Sequence, residues 1–235
     1  MKRKINRHIS FIAALAVATA AFASPGFTQD KAQIDFAEHQ ILAEALRKGG
    51  LKEAARIKGD YVMTYDPFWH TPTLDLKGLT KKSGLIVTGI PVNNRCRLTL
   101  DGFIVLTVYD VLVTEVLKGD DVKAGQTIKV ALPGGKVRFK DGTSAEVRTP
   151  DFQQMSNNKT YALYLYEKLA QSGHIFKDPS IVVHRLTSGP HGLLELSEDG
   201  KRVKSHARPD DPIAIETKDI SVEDFLKRAR EEARK

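Results

Sequence analysis

The sequence predicts a mainly β, α+β fold: an antiparallel β body with an N-terminal helical hairpin and a C-terminal helix. Residues 103–137 contain a long apolar run, a charged turn and a second, alternating run, which is typical of a β-hairpin. Residues 31–58 carry apolar side chains at helical spacing around a Gly-Gly pair. Because 41% of the 235 residues are hydrophobic, the chain can bury a core of its own.

The first arm of this hairpin has one strongly apolar face, formed by Tyr109, Val111 and Val113. The residues before Tyr109 are apolar on both faces, so we expect the first half of the strand to be covered on both sides. The second arm alternates over residues 127–132 and should bury one face. We expect the arms to pair around the loop at 118–126, whose glycines permit a positive φ.

The first 23 residues are predicted to be a signal peptide. Four Lys and Arg residues precede an apolar stretch, and Ala21, Phe22 and Ala23 form a small-x-small cleavage site before Ser24. The apolar stretch is shorter than the about 20 residues that a transmembrane helix needs. We therefore expect a periplasmic or secreted protein, cleaved near Ala23–Ser24, with no membrane span after signal removal.

Removing the signal peptide changes the charge of the chain. Loss of its four cations lowers the formal net charge from +7 to +3 and leaves no basic block, which argues against a nucleic-acid partner. Cys96 is the single cysteine, so an exported chain has no internal disulfide and its core must supply its stability. We expect Cys96 to be a small, partly buried hydrophobe, with a reactive thiol as the alternative.

Residues 24–73 are expected to form a helical arm and an aromatic linker. One helix over 31–48 ends at Gly49–Gly50, and a shorter helix over 51–57 ends near Gly59. Two such helices cannot bury their apolar faces against each other alone. They should therefore cover an edge of the β body or dock on a partner. The linker either packs on the core or lines a ligand surface with its aromatic side chains Tyr61, Tyr65, Phe68 and Trp69 and with His70.

Residues 74–204 are expected to form the β domain. It begins with a helix over 74–82, capped by Thr71 or Thr73, and an apolar strand over 84–92 that Pro91 limits to an edge or a bulge. Asp101–Gly102 predicts a hairpin turn after an irregular stretch at 93–98. Later strands are predicted at 160–166, which should be central, and at 181–186, 193–196 and 202–204.

After the Pro133-Gly134-Gly135 break, the alternation of apolar and charged residues indicates the length of the next turn. A two-residue turn at Asp141–Gly142 would place Val137 opposite Glu146. A three-residue loop over 140–142, with its glycine in the left-handed region, instead places Val137 opposite Ala145 and separates apolar from charged residues. We predict the three-residue loop.

Residues 205–235 are expected to form a linker and a C-terminal helix. Pro209 and Pro212 mark the linker, and Ser221 with Asp224 resembles a capping box at the start of the helix. Phe225 and Leu226 are among its few apolar residues, so we expect this helix to dock lightly.

Several segments between about residues 74 and 200 resemble a domain of uncharacterised exported bacterial proteins. They are Ser83-x-Leu85-Ile86-Val87-x-Gly89, the strand end Glu115-Val116-Leu117-Lys118-Gly119, Pro133-Gly134-Gly135, Pro150-x-Phe152 and the apolar strand at 161–165. That domain is similar to the OB-like β-barrel of netrin modules and of tissue inhibitors of metalloproteinases. The resemblance implies a small closed β-barrel, a fold that can bind oligosaccharide, oligonucleotide or protein and does not by itself select among them. It does not imply protease inhibition, because those inhibitors act through a disulfide-anchored N-terminal cysteine, and it transfers no functional residue.

The candidate metal ligands are the late histidines His184, His191 and His206, which fall in one β region. No HExxH motif or Cys/His spacing accompanies them, so we expect exposed histidines, with a metal site as the alternative. Asp120 and Asp121 are adjacent in a loop and are expected to be solvated, with a cation site as the alternative.

No motif for a nucleophile or a phosphate loop is present, and Ser188–His191 is predicted to be a turn. Residues 121–130 resemble the hairpin of biotinyl and lipoyl domains and of periplasmic adaptor subunits, but Lys123 lies in no carrier-type motif. We therefore predict no catalytic, cofactor-binding or metal-binding residue and no cofactor.

Together these observations predict an exported, non-enzymatic β-barrel protein that binds a protein or a glycan in the cell envelope or outside it. One alternative is an enzyme with its site near the late histidines. The other is an envelope adaptor subunit.

Overall fold

The computed structural model describes residues 29–66, 74–150, 152–166 and 175–235, with side chains from residue 37 onward. The chain divides into two units, Met1–His39 and Gln40–Lys235. The described part of the first unit, residues 29–39, is helical, and the described strands all belong to the second unit. The predicted signal peptide and the linker residues Phe68, Trp69 and His70 lie outside the described residues.

Helix α1, Gln29–Lys58, contains the break that the Gly-Gly pair predicts. Gly50 has φ 63° and ψ −154°, values outside the helical region, so two helical segments meet there. The Leu51 N–H donates to the Gly102 carbonyl at 2.8 Å. A Cβ on Gly50 would lie 2.4 Å from that oxygen, so this close approach requires glycine.

The two segments of α1 bury their apolar stripes unequally. Leu51 and Ala55 of the second segment are fully buried and share a cluster with Ala145. In the first segment Ala45 is buried, but Ile41 of the same stripe is 55% exposed. The second segment is therefore anchored by its packing, whereas the first presents apolar surface to solvent.

Seven strands form the larger sheet: β2 (Leu85–Leu98), β3 (Val105–Lys118), β4 (Thr127–Pro133), β7 (Thr160–Leu165), β8 (His184–Arg185), β9 (Leu193–Leu196) and β10 (Val203–Ser205). Their order across the sheet is β10-β9-β7-β2-β3-β4-β8. The central hairpin is confirmed, because β3 and β4 pair antiparallel with Tyr109 opposite Val130. The central place of β7 is also confirmed, since it lies between β2 and β9 and is buried apart from Thr160.

Strand β2 is longer than predicted. Residues 93–98, expected to be irregular, continue the strand until Leu98 pairs with Val105 of β3. The register shifts between Pro91 and Asn93, which confirms the bulge that Pro91 predicts.

Three strands form the smaller sheet: β1 (Asp60–Thr64), β5 (Gly135–Arg138) and β6 (Ser144–Arg148), in the order β1-β6-β5. The predicted three-residue loop is confirmed: Val137 pairs with Ala145, and Gly142 has φ 86°. Strand β1 was not predicted and lies within the residues assigned to the arm and linker. It pairs parallel to β6, with Asp60 opposite Ser144.

The predicted closed antiparallel barrel is wrong as stated, because the described strands form two sheets and no closed barrel. Two of the pairings are parallel, β1 with β6 and β4 with β8. The predicted strand at 181–186 is shortened to His184–Arg185. Just beyond it, Leu186 forms an isolated antiparallel bridge with Leu165 of β7, and the Thr187 N–H donates to the Tyr164 carbonyl at 2.8 Å.

Three helices follow the first. Helix α2 (Leu76–Lys82) is capped by Asp75, which accepts from the Gly78 N–H at 2.7 Å, so the prediction of Thr71 or Thr73 as the cap is wrong. Helix α3 (Pro212–Thr217) lies at the end of the predicted linker, and helix α4 (Val222–Ala233) has the predicted Ser221 cap. Phe225 of α4 is fully buried, so this helix docks more firmly than predicted.

The large sheet has apolar layers on both faces. One cluster contains Tyr109, Val130, Leu163 and Leu193. A second cluster joins the sheet residues Ile86 and Tyr164 to residues of α2, α3 and α4, namely Leu79, Ile213 and Phe225. Across the described segments, none of the helices combines the length and the apolar character needed to cross a membrane.

Candidate functional site

The late histidines are buried, so the prediction that they are exposed is wrong. His184 is 8% exposed and His191 is 6% exposed. The side chain of His206 is 1% exposed. Each has different neighbours, and the described residues contain no group of three or more His, Cys, Asp or Glu that could hold a metal ion.

His191 joins a 3-10 turn at Gly189–Gly192 to the start of α3. Its Nδ1 lies 2.8 Å from the Ser188 carbonyl, which can only accept, so Nδ1 donates. Its Nε2 lies 3.1 Å from Oδ2 of Asp211, which also accepts from the Arg208 N–H. The buried Ser188 Oγ has no hydrogen-bond partner among the described residues, so these groups do not form a Ser-His-Asp relay.

His206 is buried without hydrogen bonds. Within the described chain neither ring nitrogen has a hydrogen-bond partner, and the ring lies 6.2 Å from that of Tyr161. Burial is the main cause that lowers the pKa of His206 to about 4, and the charge of Lys204 adds to it. The ring is therefore neutral at physiological pH and serves as packing.

The structure brings Asp120, Asp121 and His184 to one cavity of about 260 Å³, which Gly84, Leu85, Gly119 and Val122 also line. Both aspartates are exposed. Their exposure agrees with the predicted solvated state.

Cys96 and Lys123 also have ordinary surroundings. Cys96 is half-buried, with Sγ 3.5 Å from the Thr107 hydroxyl, and a Cβ on Gly135 would lie 2.7 Å from this sulfur. Its place in a packed contact agrees with the expected role of a small hydrophobe. Lys123 is exposed in the β3–β4 turn, where its backbone N–H donates to Gln126 Oε1.

A larger cavity of about 300 Å³ lies where the end of β1 meets the start of β3 and the end of β4. We call it the Arg185 cavity. Its lining residues are Tyr65, Thr99, Ile104, Leu106, Ala131, Leu132, Pro133, Phe152, Ile175, Arg185 and Leu186.

Local folding explains how these residues converge. The Tyr65 N–H donates to the Arg148 carbonyl at 2.8 Å, which extends the pairing of β1 with β6 and places the tyrosine beside the large sheet. Leu106 pairs with Pro133 at the end of the hairpin. Arg185 arrives through the parallel pairing of β8 with β4. The cavity therefore depends on contacts between both sheets.

The Arg185 cavity is mainly apolar and has few available polar groups. The Thr99 hydroxyl is engaged, since it donates to Asp101 and accepts from the Ile104 N–H at 3.1 Å. Arg185 is exposed, and its guanidinium forms no ion pair with any described residue. None of the described lining residues carries a carboxylate. One unpaired cation beside an apolar recess suits a ligand that combines apolar and anionic groups.

Two exposed apolar side chains lie in the turn that supplies Thr99 and Ile104. Leu100 is 48% exposed and Phe103 is 43% exposed. The Leu100 N–H donates to the carbonyl of Ile175, another lining residue, at 2.7 Å. The turn therefore presents apolar surface next to the cavity.

Sequence reasoning did not find this site. Tyr65 belongs to the aromatic linker that the sequence offers as a ligand surface. The other lining residues belong to segments that the sequence predicts as strands or loops. They come from separate segments of the chain, and no spacing rule connects them. The one signal in the sequence is that the apolar Leu100 and Phe103 flank the Asp101–Gly102 turn.

The comparisons with known proteins identify no family. No protein-family model matches the chain, and no curated protein matches its sequence.

Proposed function

We propose that this protein is an exported, non-enzymatic binding protein that holds a segment of a protein partner in the Arg185 cavity. The observation that carries the proposal is the cavity itself: about 300 Å³, lined mainly by apolar side chains and bordered by the Arg185 guanidinium, with which no described residue forms an ion pair. Cavities of this kind and of about 300 to 1,000 Å³ commonly bind ligands. The signal-like first 23 residues support export.

A protein partner suits the site better than a glycan does. A sugar brings several hydroxyl groups, and each that is buried needs a hydrogen-bond partner. Among the lining side chains the Thr99 hydroxyl is already engaged, which leaves chiefly Tyr65 and Arg185. The exposed Leu100 and Phe103 extend the apolar surface, as at the core of a protein interface.

For the fold we propose an OB-like arrangement of the five strands β7, β2, β3, β4 and β8. Support comes from the parallel pairing of β4 with β8 and from the Leu165–Leu186 bridge, which brings the chain beyond β8 back to β7. OB-like domains bind macromolecules on one face, so this proposal agrees with a binding role. The alternative of an enzyme near the late histidines loses support, because those histidines contact different partners.

The test is affinity capture with the mature chain, residues 24–235, from envelope and culture fractions, followed by mass spectrometry. Leu106→Trp fills the cavity, and Leu112→Trp makes the same change to a half-buried leucine on the same strand that does not line it. We expect the wild type and L112W to retain one protein in near-equal amount and L106W to lose it. Ile104→Trp, in the turn, provides a second filled cavity should L106W be unstable.

Two outcomes would contradict this function. One is the capture of a glycan in place of a protein. The other is a protein partner retained equally by L106W, I104W and L112W, since that partner would bind elsewhere on the surface.

A further inference from the structure

We infer that the Arg185 cavity recognises the C-terminal residue of a polypeptide: an apolar side chain fills the recess and the free carboxylate pairs with Arg185. This inference rests on the proposed function and names the feature of the partner that the site reads. The chemistry is that of a carboxylate attached to a small apolar group.

The charge of the lining is the first argument. Among the described residues that line the cavity, Arg185 is the one charged side chain, and no described carboxylate pairs with it. A guanidinium offers donors in a fork that matches the two oxygens of a carboxylate. Because the wall opposite it is apolar, the effective dielectric near the cavity is lower than in bulk water, and an ion pair formed there gains strength.

The volume is the second argument. An apolar cavity of about 150 Å³ holds a benzene ring. At about 300 Å³, the Arg185 cavity has room for the side chain of one large apolar residue together with its terminal carboxylate. It has no room for several residues, so a terminus suits it better than an internal segment of a partner.

The phenol of Tyr65 is the third argument. Tyr65 is half-buried, and its hydroxyl donates no hydrogen bond to any residue that the structure describes. It lines the same cavity as Arg185, so it can donate to a carboxylate oxygen that the guanidinium binds. Arg185 and Tyr65 are therefore the side-chain donors that the described lining offers to an anion.

The test uses the mature chain and isothermal titration with three probes. The first is a pentapeptide that ends in phenylalanine with a free carboxylate, the second is the same peptide with a C-terminal amide, and the third is 3-phenylpropionate. We expect the acid peptide to bind about tenfold or more tightly than the amide, which is the effect of one charge-assisted hydrogen-bonded pair.

Variants assign that preference to residues. Arg185→Gln should abolish the difference between acid and amide, and Tyr65→Phe should reduce it by a smaller factor. Arg95→Gln is the matched control, because Arg95 is exposed on β2 and does not line the cavity. It should keep the full preference. Circular dichroism of each variant confirms that the fold is retained.

The outcomes separate this inference from the proposed function. Equal binding of acid and amide peptides, or a preference that R185Q retains, overturns carboxylate recognition but leaves a peptide-binding cavity. Binding of 3-phenylpropionate as tight as that of the acid peptide overturns the polypeptide terminus in favour of a small acid. Failure of all three probes at millimolar concentration overturns the cavity as a binding site, and the proposed function with it.

Discussion

At the scale of single residues, burial without hydrogen bonds distinguishes His206 from the other late histidines. His191 donates from Nδ1 to the Ser188 carbonyl, and its Nε2 lies 3.1 Å from Asp211 Oδ2, so a polar group faces each ring nitrogen. His206 lies against Tyr161, and its nearest carboxylate oxygen, on Glu195, is 4.0 Å away. The sequence around it, Lys-Ser-His-Ala-Arg, is polar, so the burial of His206 comes from tertiary packing that local sequence does not reveal.

The stability of the protein should depend on pH through His206. The pKa of His206 is lowered to about 4 in the folded chain, whereas in the unfolded chain it is near 6.5. The unfolded state therefore takes up this proton first, and the free energy of unfolding falls as the pH drops from 6.5 towards 4, by up to about 3 kcal/mol. His206→Phe removes the proton site and keeps a ring beside Tyr161, so it should lessen this loss.

Urea denaturation of wild type and H206F at pH 7.5 and pH 4.5 measures the effect. Other carboxylates also titrate over this range, so the relevant quantity is the difference between the two proteins. A difference that is the same at both pH values would contradict the assignment to His206.

At the scale of elements, the Gly134–Gly135 pair transfers the chain from the large sheet to the small one. Strand β4 ends at Pro133 and β5 begins at Gly135, so two residues accomplish the change. Gly134 and Gly135 have φ 101° and 122°, and the Thr107 hydroxyl donates to the Gly134 carbonyl at 2.8 Å. A Cβ on Gly135 would lie 2.6 Å from the oxygen of that hydroxyl.

Gly135→Ala should therefore destabilise the protein through two effects. The positive φ costs about 1–3 kcal/mol for a residue with a side chain, and the contacts with Thr107 and Cys96 add an overpacking cost of about 1–3 kcal/mol. Gly142→Ala is the control: its φ is 86°, but its Cβ would meet nothing within 4 Å, so it bears the first cost alone. Urea denaturation should place G135A below G142A in stability. Equal losses would show that the close contacts relax without cost.

At the scale of the whole molecule, two apolar layers enclose the large sheet, and the short helices complete the outer one. The inner layer follows from the strand pattern, but the outer layer depends on α3, which is only six residues long, and on α4, which is mostly charged. Phe225 nevertheless reaches full burial among Leu79, Tyr164 and Ile213. The ion pair of Arg230 with Glu115, at 2.9 Å, is partly exposed and adds little.

Phe225→Ala should lower the free energy of unfolding by about 3–5 kcal/mol, because it removes a fully buried ring and leaves a cavity. Leu226→Ala, at the neighbouring half-buried position, should cost clearly less. Denaturation followed by circular dichroism compares them. Similar small losses for both variants would contradict firm docking of α4 and favour the light docking expected from the sequence.

The sequence predicts those parts of the fold that local patterns determine. The register that places Val137 opposite Ala145 follows from the period of two and from charge separation. The sequence does not predict strand β1, because the strand has only five residues. Its first residue, Asp60, contacts Ser144, which lies 84 residues later in the chain. The sequence does not predict the arrangement of the two sheets or the Arg185 cavity for the same reason. Both result from contacts between distant segments, which neither periodicity nor turn chemistry encodes.

The parallel pairing of β1 with β6 also has a consequence for the order of assembly. As the chain grows from its N-terminus, β2, β3 and β4 meet their antiparallel neighbours one after another, whereas β1 must wait for Ser144. Closing so long a loop costs more entropy than closing a hairpin. Meanwhile β1 is an unpaired strand, and its exposed Val62 could join another chain. We expect the brevity of β1, the carboxylate of Asp60 at its start and that of Asp66 just beyond its end to disfavour that encounter.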